Sequence, residues 1–136
     1  MKPYRTNIAD VSLEGRLREE DGWVNMRVKF LIDQRSAGTP ELVLGHTVLP
    51  PGARHERHRH PNSDEFLVVV RGEGEIYTDA GREPAREGDV VFTPAGHWHG
   101  FDNTSGDDVV LLWGWRGAGS LEAAGYEMDE GSRSSR

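Results

Sequence analysis

The sequence contains no cysteine. This absence excludes disulfide bonds, a thiolate nucleophile and cysteine-bound zinc, so any metal ion must be held by nitrogen and oxygen atoms. Acidic side chains outnumber basic ones by 23 to 16, which gives a formal charge of −7. That negative excess argues against nucleic acid or an anionic membrane as a partner. No apolar stretch approaches the ~18 residues needed to span a bilayer.

The first residues, MKPYRTNIADVS, also lack the apolar core of a secretory signal. These absences predict a cytoplasmic protein whose partner is a small molecule, with no nucleic acid and no membrane. A chain of 136 residues fits one domain, which we expect over residues 1–128. The small and charged residues 129–136, DEGSRSSR, are expected to form a disordered tail.

Glycine is abundant, with 17 residues, and glycine–proline turn clusters separate short runs rich in valine, leucine and aromatic side chains. This spacing is typical of an antiparallel sandwich or barrel, so we predict an all-β fold. Helical periodicity is present only weakly, over residues 120–128. The candidate strands cover residues 23–32, 42–49, 66–70, 75–78, 89–93 and 109–115.

Five of the six histidines lie in two short segments. His58 and His60 are two residues apart, so on an extended chain their side chains share a face. Glu65 opens the apolar run FLVVV, and a carboxylate on the inner face of a barrel is costly unless it is paired or binds a metal. With His99 from a separate strand, the donors would suit Mn, Fe, Co, Ni or Zn. The alternative is that HERHRH is an inert, solvated surface loop.

The spacing of these residues resembles the two signature motifs of the cupin superfamily, which here span residues 52–103. The first motif is matched at Gly52, His58, His60, Glu65 and Gly72, and the second at Gly88, Pro94, Gly96, His99 and Asn103.

The resemblance implies a single-domain, antiparallel cupin-type (jelly-roll) β-barrel. It implies that His58, His60, Glu65 and His99 bind one divalent transition metal ion per chain. Four protein ligands on an octahedral ion leave two positions open for a substrate, water or dioxygen. Small cupins also pair as homodimers, often by exchanging an N-terminal strand, and the alternating segment 24–32 could serve that purpose.

Several residues near the motifs are candidates for substrate chemistry. His97 lies two residues before His99, so it should face the cavity or its rim, where it could act as an acid or base; the alternative is a structural or exposed residue. His55 stands at odd spacing from His58 and is expected to point outward. The candidate contacts to the substrate or to the metal ligands are His46, Phe101, Trp113 and Trp115, with core packing as the alternative.

Three functions remain open at this stage. The first is a metal-dependent oxygenase or dioxygenase that acts on a small enol, diketone or catechol-like molecule. The second is a non-redox metal enzyme: an isomerase, cyclase, decarboxylase or lyase. The third is a binding protein without turnover. The motifs do not separate the first two, because one fold and one ligand set support many chemistries.

Overall fold

The architecture is described from a computed structural model, which covers residues 2–129 and residue 131. Strands dominate it. The strands are β1 Trp23–Val24, β2 Arg27–Ile32, β3 Leu42–Leu49, β4 Arg54–Arg59, β5 Asp64–Arg71, β6 Glu73–Thr78, β7 Gly81–Arg86, β8 Val90–Thr93, β9 His99–Asp102, β10 Val109–Arg116 and β11 Glu127–Met128. The helices are one-turn segments, α1 Gln34–Ala37 and α2 Leu121–Ala124, with 3-10 turns at Ile8–Asp10 and Glu19–Asp21.

The strands form two antiparallel sheets. One has the order β1-β4-β9-β6-β7, with β11 added to β4, and the other has the order β2-β3-β10-β5-β8. Most of the buried apolar side chains of both sheets belong to one core cluster. The predicted all-β, antiparallel jelly-roll fold is therefore confirmed. Of the described helices, none is long and apolar enough to cross a membrane.

The first predicted strand is divided in the structure. Asn25 adopts a φ of 54°, a left-handed conformation that asparagine tolerates better than most residues. This turn ends β1 and sends the chain to the other sheet as β2. The segment 23–32 thus contributes an edge strand to each sheet instead of one continuous strand.

Two strands and the C-terminal segment differ from the expectations. Strands β4 and β7 were not predicted, because their sequences RHERHR and GREPAR carry charged or turn-forming residues on both faces. The weak helical pattern over 120–128 yields only α2, after which β11 pairs with β4.

Asp129, which the sequence placed in a disordered tail, is held in the structure. Its Oδ2 accepts a hydrogen bond of 2.7 Å from Nε of Arg57 on β4. The rest of the predicted tail, apart from Gly131, lies outside the described residues.

Candidate metal centre and adjoining cavity

Four side chains from three strands and one turn converge between the sheets. His58 lies on β4 and pairs in register with His99 on β9, His60 follows β4, and Glu65 lies near the start of β5. One possible ligand atom from each residue lies within 4.8 Å of the ligand atoms of the others. The three imidazoles are buried. The structure thus brings together the four residues that the motif spacing indicated.

The three imidazoles are oriented by backbone carbonyl groups. In each ring Nδ1 lies within hydrogen-bond distance of a carbonyl oxygen, which can only accept, so Nδ1 carries the hydrogen and Nε2 carries a lone pair. Within the part of the chain that the structure describes, all three Nε2 atoms are buried without a hydrogen-bond partner. The Nδ1 distances are 2.7 Å for His58 to Glu56, 2.8 Å for His60 to Gly125 and 3.1 Å for His99 to His97.

Glu65 completes the cluster and has its own support. Its Oε2 lies 3.1 Å from Nε2 of His99, its Oε1 lies 3.6 Å from Nε2 of His60, and Nε1 of Trp115 donates to Oε1 at 3.0 Å. Burial raises the pKa of the Glu65 carboxyl, whereas positive charge on His99 and hydrogen bonds from His60 and His99 lower it well below its usual range. Because the backbone carbonyls leave Nε2 of both neutral rings unprotonated, the positive charge that keeps this carboxylate ionised has to come from a bound cation.

These residues fit a divalent transition metal ion. Three buried nitrogen lone pairs and one ionised carboxylate face one another, and unpaired buried polar atoms are rare unless something binds them. Each ligand is also fixed by a further hydrogen bond, as is usual around protein-bound metals. A bound cation would satisfy the four donors together.

A cavity of about 250 Å³ adjoins the cluster and is lined by residues of both sheets. Its lining includes two acidic side chains, Glu65 and Asp79. Among the described residues that line it, none is a lysine or an arginine. Most of the wall is aromatic or aliphatic, including Trp23, Met26, Leu67, Ile76, Val91, Phe101, Leu111, Trp113 and Trp115.

The three aromatic candidates all line this cavity. Phe101, Trp113 and Trp115 are buried, and Nε1 of Trp113 donates to Oγ1 of Thr47 at 2.8 Å. Gly45 makes room for the Trp113 ring, because a Cβ there would lie 2.1 Å from Cζ2 of the indole. Thr47, which the sequence interpretation did not single out, is therefore the polar residue that β3 gives to the cavity.

His46 was expected on the cavity side of β3, and this expectation is wrong. The buried side of β3 carries Val43, Thr47 and Leu49, so His46 lies on the outer face of the sheet, opposite Lys29 of β2. Apolar residues occupy both faces of this strand, so alternation could not identify the inner one. Partial burial, with a smaller contribution from Lys29, lowers the pKa of His46.

His97 lies at the mouth of the cavity and does not point inward beside His99. It precedes β9, after the turn at Pro94, and its side chain is 55% exposed. Its Nδ1 is 2.6 Å from Oδ2 of Asp79, and Oδ1 of Asp79 accepts a hydrogen bond of 2.9 Å from the backbone N–H of Trp98. Asp79 comes from the two-residue turn between β6 and β7, a contact that local sequence does not reveal.

His55 was expected to point outward, yet it lines the cavity. The pairing of β4 with β9 shifts register between His55 and His58, which places an extra residue on β4. Such a bulge brings residues at odd spacing to the same side. The His55 ring accordingly stacks on the ring of His58, with 3.7 Å between centroids.

Comparison with known proteins agrees with this fold. The sequence matches the cupin domain family over residues 45–115, just over half of the chain. The chain belongs to the cupin family.

The relatives of known name that this chain resembles are named for different functions. It is 37% identical over 65 residues to the oxalate-binding protein of Thermotoga maritima, a match that covers 47% of this chain and only 53% of that protein. It is 27% identical over 113 residues to polyketide synthase CurC of Streptomyces cyaneus, covering 83% of this chain and 71% of CurC.

Similarity among solved structures supports the fold. The polyketide cyclase RemF of Streptomyces resistomycificus aligns with a TM-score of 0.70 at 23% identity, over 91% of this chain and 89% of RemF.

Proposed function

We propose that this cupin is a metal-dependent enzyme that moves a proton to or from an uncharged, planar ketone, enol or β-diketone. The observation that carries the proposal is the combination of a largely apolar cavity beside the four-residue cluster with the Asp79–His97 pair at its mouth. An isomerisation or a cyclisation of such a substrate follows from one proton transfer.

The walls of the cavity favour an uncharged substrate. A bound divalent ion together with the Glu65 and Asp79 carboxylates leaves no net positive charge, and the described lining adds no lysine or arginine. A small dianion such as oxalate would therefore keep uncompensated charge among apolar walls, which is unfavourable. The aromatic lining suits a flat organic molecule.

A divalent ion held by the four ligands would supply Lewis acidity, which stabilises negative charge on a carbonyl oxygen of the substrate. His97 does the proton transfer. Because its Nδ1 hydrogen is donated to Asp79, its Nε2 carries the lone pair. That nitrogen takes a proton from the carbon next to the carbonyl, and the C–H electron pair stays on the substrate. The Asp79 carboxylate stabilises the imidazolium that forms.

The outcome depends on where the proton and the electron pair go next. Return of the proton from His97 to a different atom gives an isomer. Attack of the carbon on a second carbonyl of the same molecule forms a C–C bond and closes a ring, and the proton then goes to the new alkoxide oxygen. The polyketide names of CurC and RemF support the second route.

Oxygenation of the same class of substrate is the second candidate. Three imidazoles and one carboxylate also suit Fe(II), and four protein ligands on an octahedral ion leave room for both a substrate and dioxygen. The two reactions differ in their need for oxygen.

Hydrogen exchange on a simple ketone tests the proposal. We expect the metal-loaded protein to exchange the hydrogens next to the carbonyl of α-tetralone with deuterium from D₂O under argon, as followed by NMR. His97→Gln should lower the exchange rate about 100-fold, since general acid–base groups contribute about 10²–10⁴-fold. Metal content should be unchanged in this variant.

The matched control is His46→Gln, because His46 lies on the outer face of the sheet. It should exchange at the wild-type rate. If the protein consumes oxygen in air but catalyses no hydrogen exchange under argon, the oxygenase function is favoured instead. A protein that neither exchanges hydrogen nor consumes oxygen, with β-diketones and catechols included in the panel, would overturn the proposal.

A further inference from the structure

The His55 ring is enclosed on both faces and at one edge. Trp23 covers one face with 3.9 Å between ring centroids, and His58 covers the other with 3.7 Å. Nε2 of His55 lies 3.1 Å from the hydroxyl oxygen of Tyr126. The ring is therefore held in one orientation.

The contacts of Tyr126 decide which nitrogen of His55 carries the hydrogen. The Tyr126 hydroxyl donates its single hydrogen to the carbonyl oxygen of Asp21 at 2.6 Å. Toward His55 the same oxygen can only accept, so Nε2 of His55 is the donor and Nδ1 carries the lone pair. In the neutral ring, a hydrogen on Nε2 leaves the lone pair of Nδ1 free to accept.

The remaining edge of the ring is the part that can meet the cavity. His55 lines the cavity, its two faces and its Nε2 are covered, and Nδ1 has no hydrogen-bond partner among residues 2–129 and 131. We propose that Nδ1 of His55 is a fixed hydrogen-bond acceptor that selects substrates with a hydroxyl group, with Tyr126 as the residue that positions it. Neither residue was a candidate in the sequence.

This inference rests on the proposed function, because it assigns a ligand to the same cavity. The inference narrows the substrate class to uncharged, planar molecules with two separate groups. One is the carbonyl that lies near the four-residue cluster, and the other is a phenol or enol O–H that donates to Nδ1 of His55. An acceptor in an apolar wall favours ligands with a hydroxyl group over those without one. A ligand that lacks the donor leaves the lone pair of Nδ1 both desolvated and unpaired.

The first test is the protonation pattern of His55 itself. In zinc-loaded protein with ¹⁵N-labelled histidine, NMR should show His55 protonated at Nε2. Tyr126→Phe keeps the ring but removes the oxygen, so it should yield a mixture of the two tautomers. A wild-type His55 protonated at Nδ1 would overturn the inference whatever the enzyme does.

The second test is binding of two matched probes to zinc-loaded protein, 2-naphthol and 2-methoxynaphthalene. His55→Phe preserves the stack between Trp23 and His58 but removes the acceptor, so it should weaken 2-naphthol binding about 10-fold, the value of one net hydrogen bond. Binding of 2-methoxynaphthalene should stay the same or strengthen. His55→Gln, whose side-chain carbonyl can accept, should restore part of the naphthol affinity.

Equal naphthol affinity in wild type and His55→Phe, at equal zinc content, would contradict the inference. Both tests measure binding or protonation and not turnover, so they stand apart from the exchange experiment. If the wild-type protein does not catalyse hydrogen exchange on α-tetralone but binds 2-naphthol more tightly than His55→Phe does, the proposed reaction is rejected and the role of His55 is kept. The reverse result would reject the role of His55 alone.

Discussion

Replacing His99 by alanine should weaken metal binding by at least about 100-fold, as measured by elemental analysis after dialysis and by competition with a chelator. Removal of groups that merely orient a ligand already costs about 10–100-fold in affinity, and His99 presents its Nε2 directly to the cluster. His58→Ala and His60→Ala should have effects of the same size. All activity that depends on the metal should be lost with it.

The matched control is His46→Ala, which removes an imidazole from the same fold on the outer face of the five-stranded sheet. This variant should retain the wild-type metal content. If His46→Ala lost metal as readily as His99→Ala, or if His99→Ala retained it fully, the assignment of the centre would be wrong.

The second large effect is expected on stability, at Asn103. Its side chain is 1% exposed, and Nδ2 donates to the carbonyl oxygens of Leu49 at 2.8 Å and Asp107 at 2.7 Å. Its Oδ1 accepts from the backbone N–H of Ser105 at 2.9 Å. Asn103→Ala should lower the free energy of unfolding by about 3–5 kcal/mol, since buried partners left unpaired cost about 1–3 kcal/mol each.

Urea denaturation of the metal-free proteins measures this change without a contribution from metal binding. Asn62→Ala is the control, because Asn62 is exposed and, among the described residues, its side chain makes one hydrogen bond, to the carbonyl oxygen of Ala123 at 3.1 Å. Its effect should stay below about 1 kcal/mol. An Asn103→Ala protein as stable as Asn62→Ala would show that the hydrogen bonds of Asn103 contribute little to the stability of the fold.

The four candidate ligands could be assigned from the sequence because their spacing matches the two cupin motifs, and the resemblance implies that these positions bind a metal. His58 and His60 alternate on one extended segment, and Glu65 and His99 stand at fixed distances from turn-forming residues. The all-β fold followed from the turn clusters in the same way. These features are local, so an isolated sequence contains them.

The remaining parts of the site depend on contacts between distant segments. Asp79 meets His97 only because the β6–β7 hairpin packs next to the turn that precedes β9. His55 faces the cavity because of a bulge, which is a feature of strand pairing. Thr47 lies on the inner face of β3 and His46 on the outer face, and the sequence could not show this because β3 is apolar on both faces.

One further group that supports the site is a backbone carbonyl, which no motif of side chains can predict. Gly125, after α2, offers its carbonyl oxygen to Nδ1 of His60. Glycine fits there because φ is 81° and a Cβ would lie 2.9 Å from Cδ of Pro61. The C-terminal segment thus orients a candidate ligand that lies 65 residues earlier in the chain.

Anomalous diffraction from crystals of the metal-loaded protein tests the central claim most directly. We predict one ion per chain, bound by Nε2 of His58, His60 and His99 and by a carboxylate oxygen of Glu65, at roughly 2.0–2.3 Å. An anomalous peak at another place in the fold, or an ion in the cavity that fewer than three of these side chains contact, would contradict it.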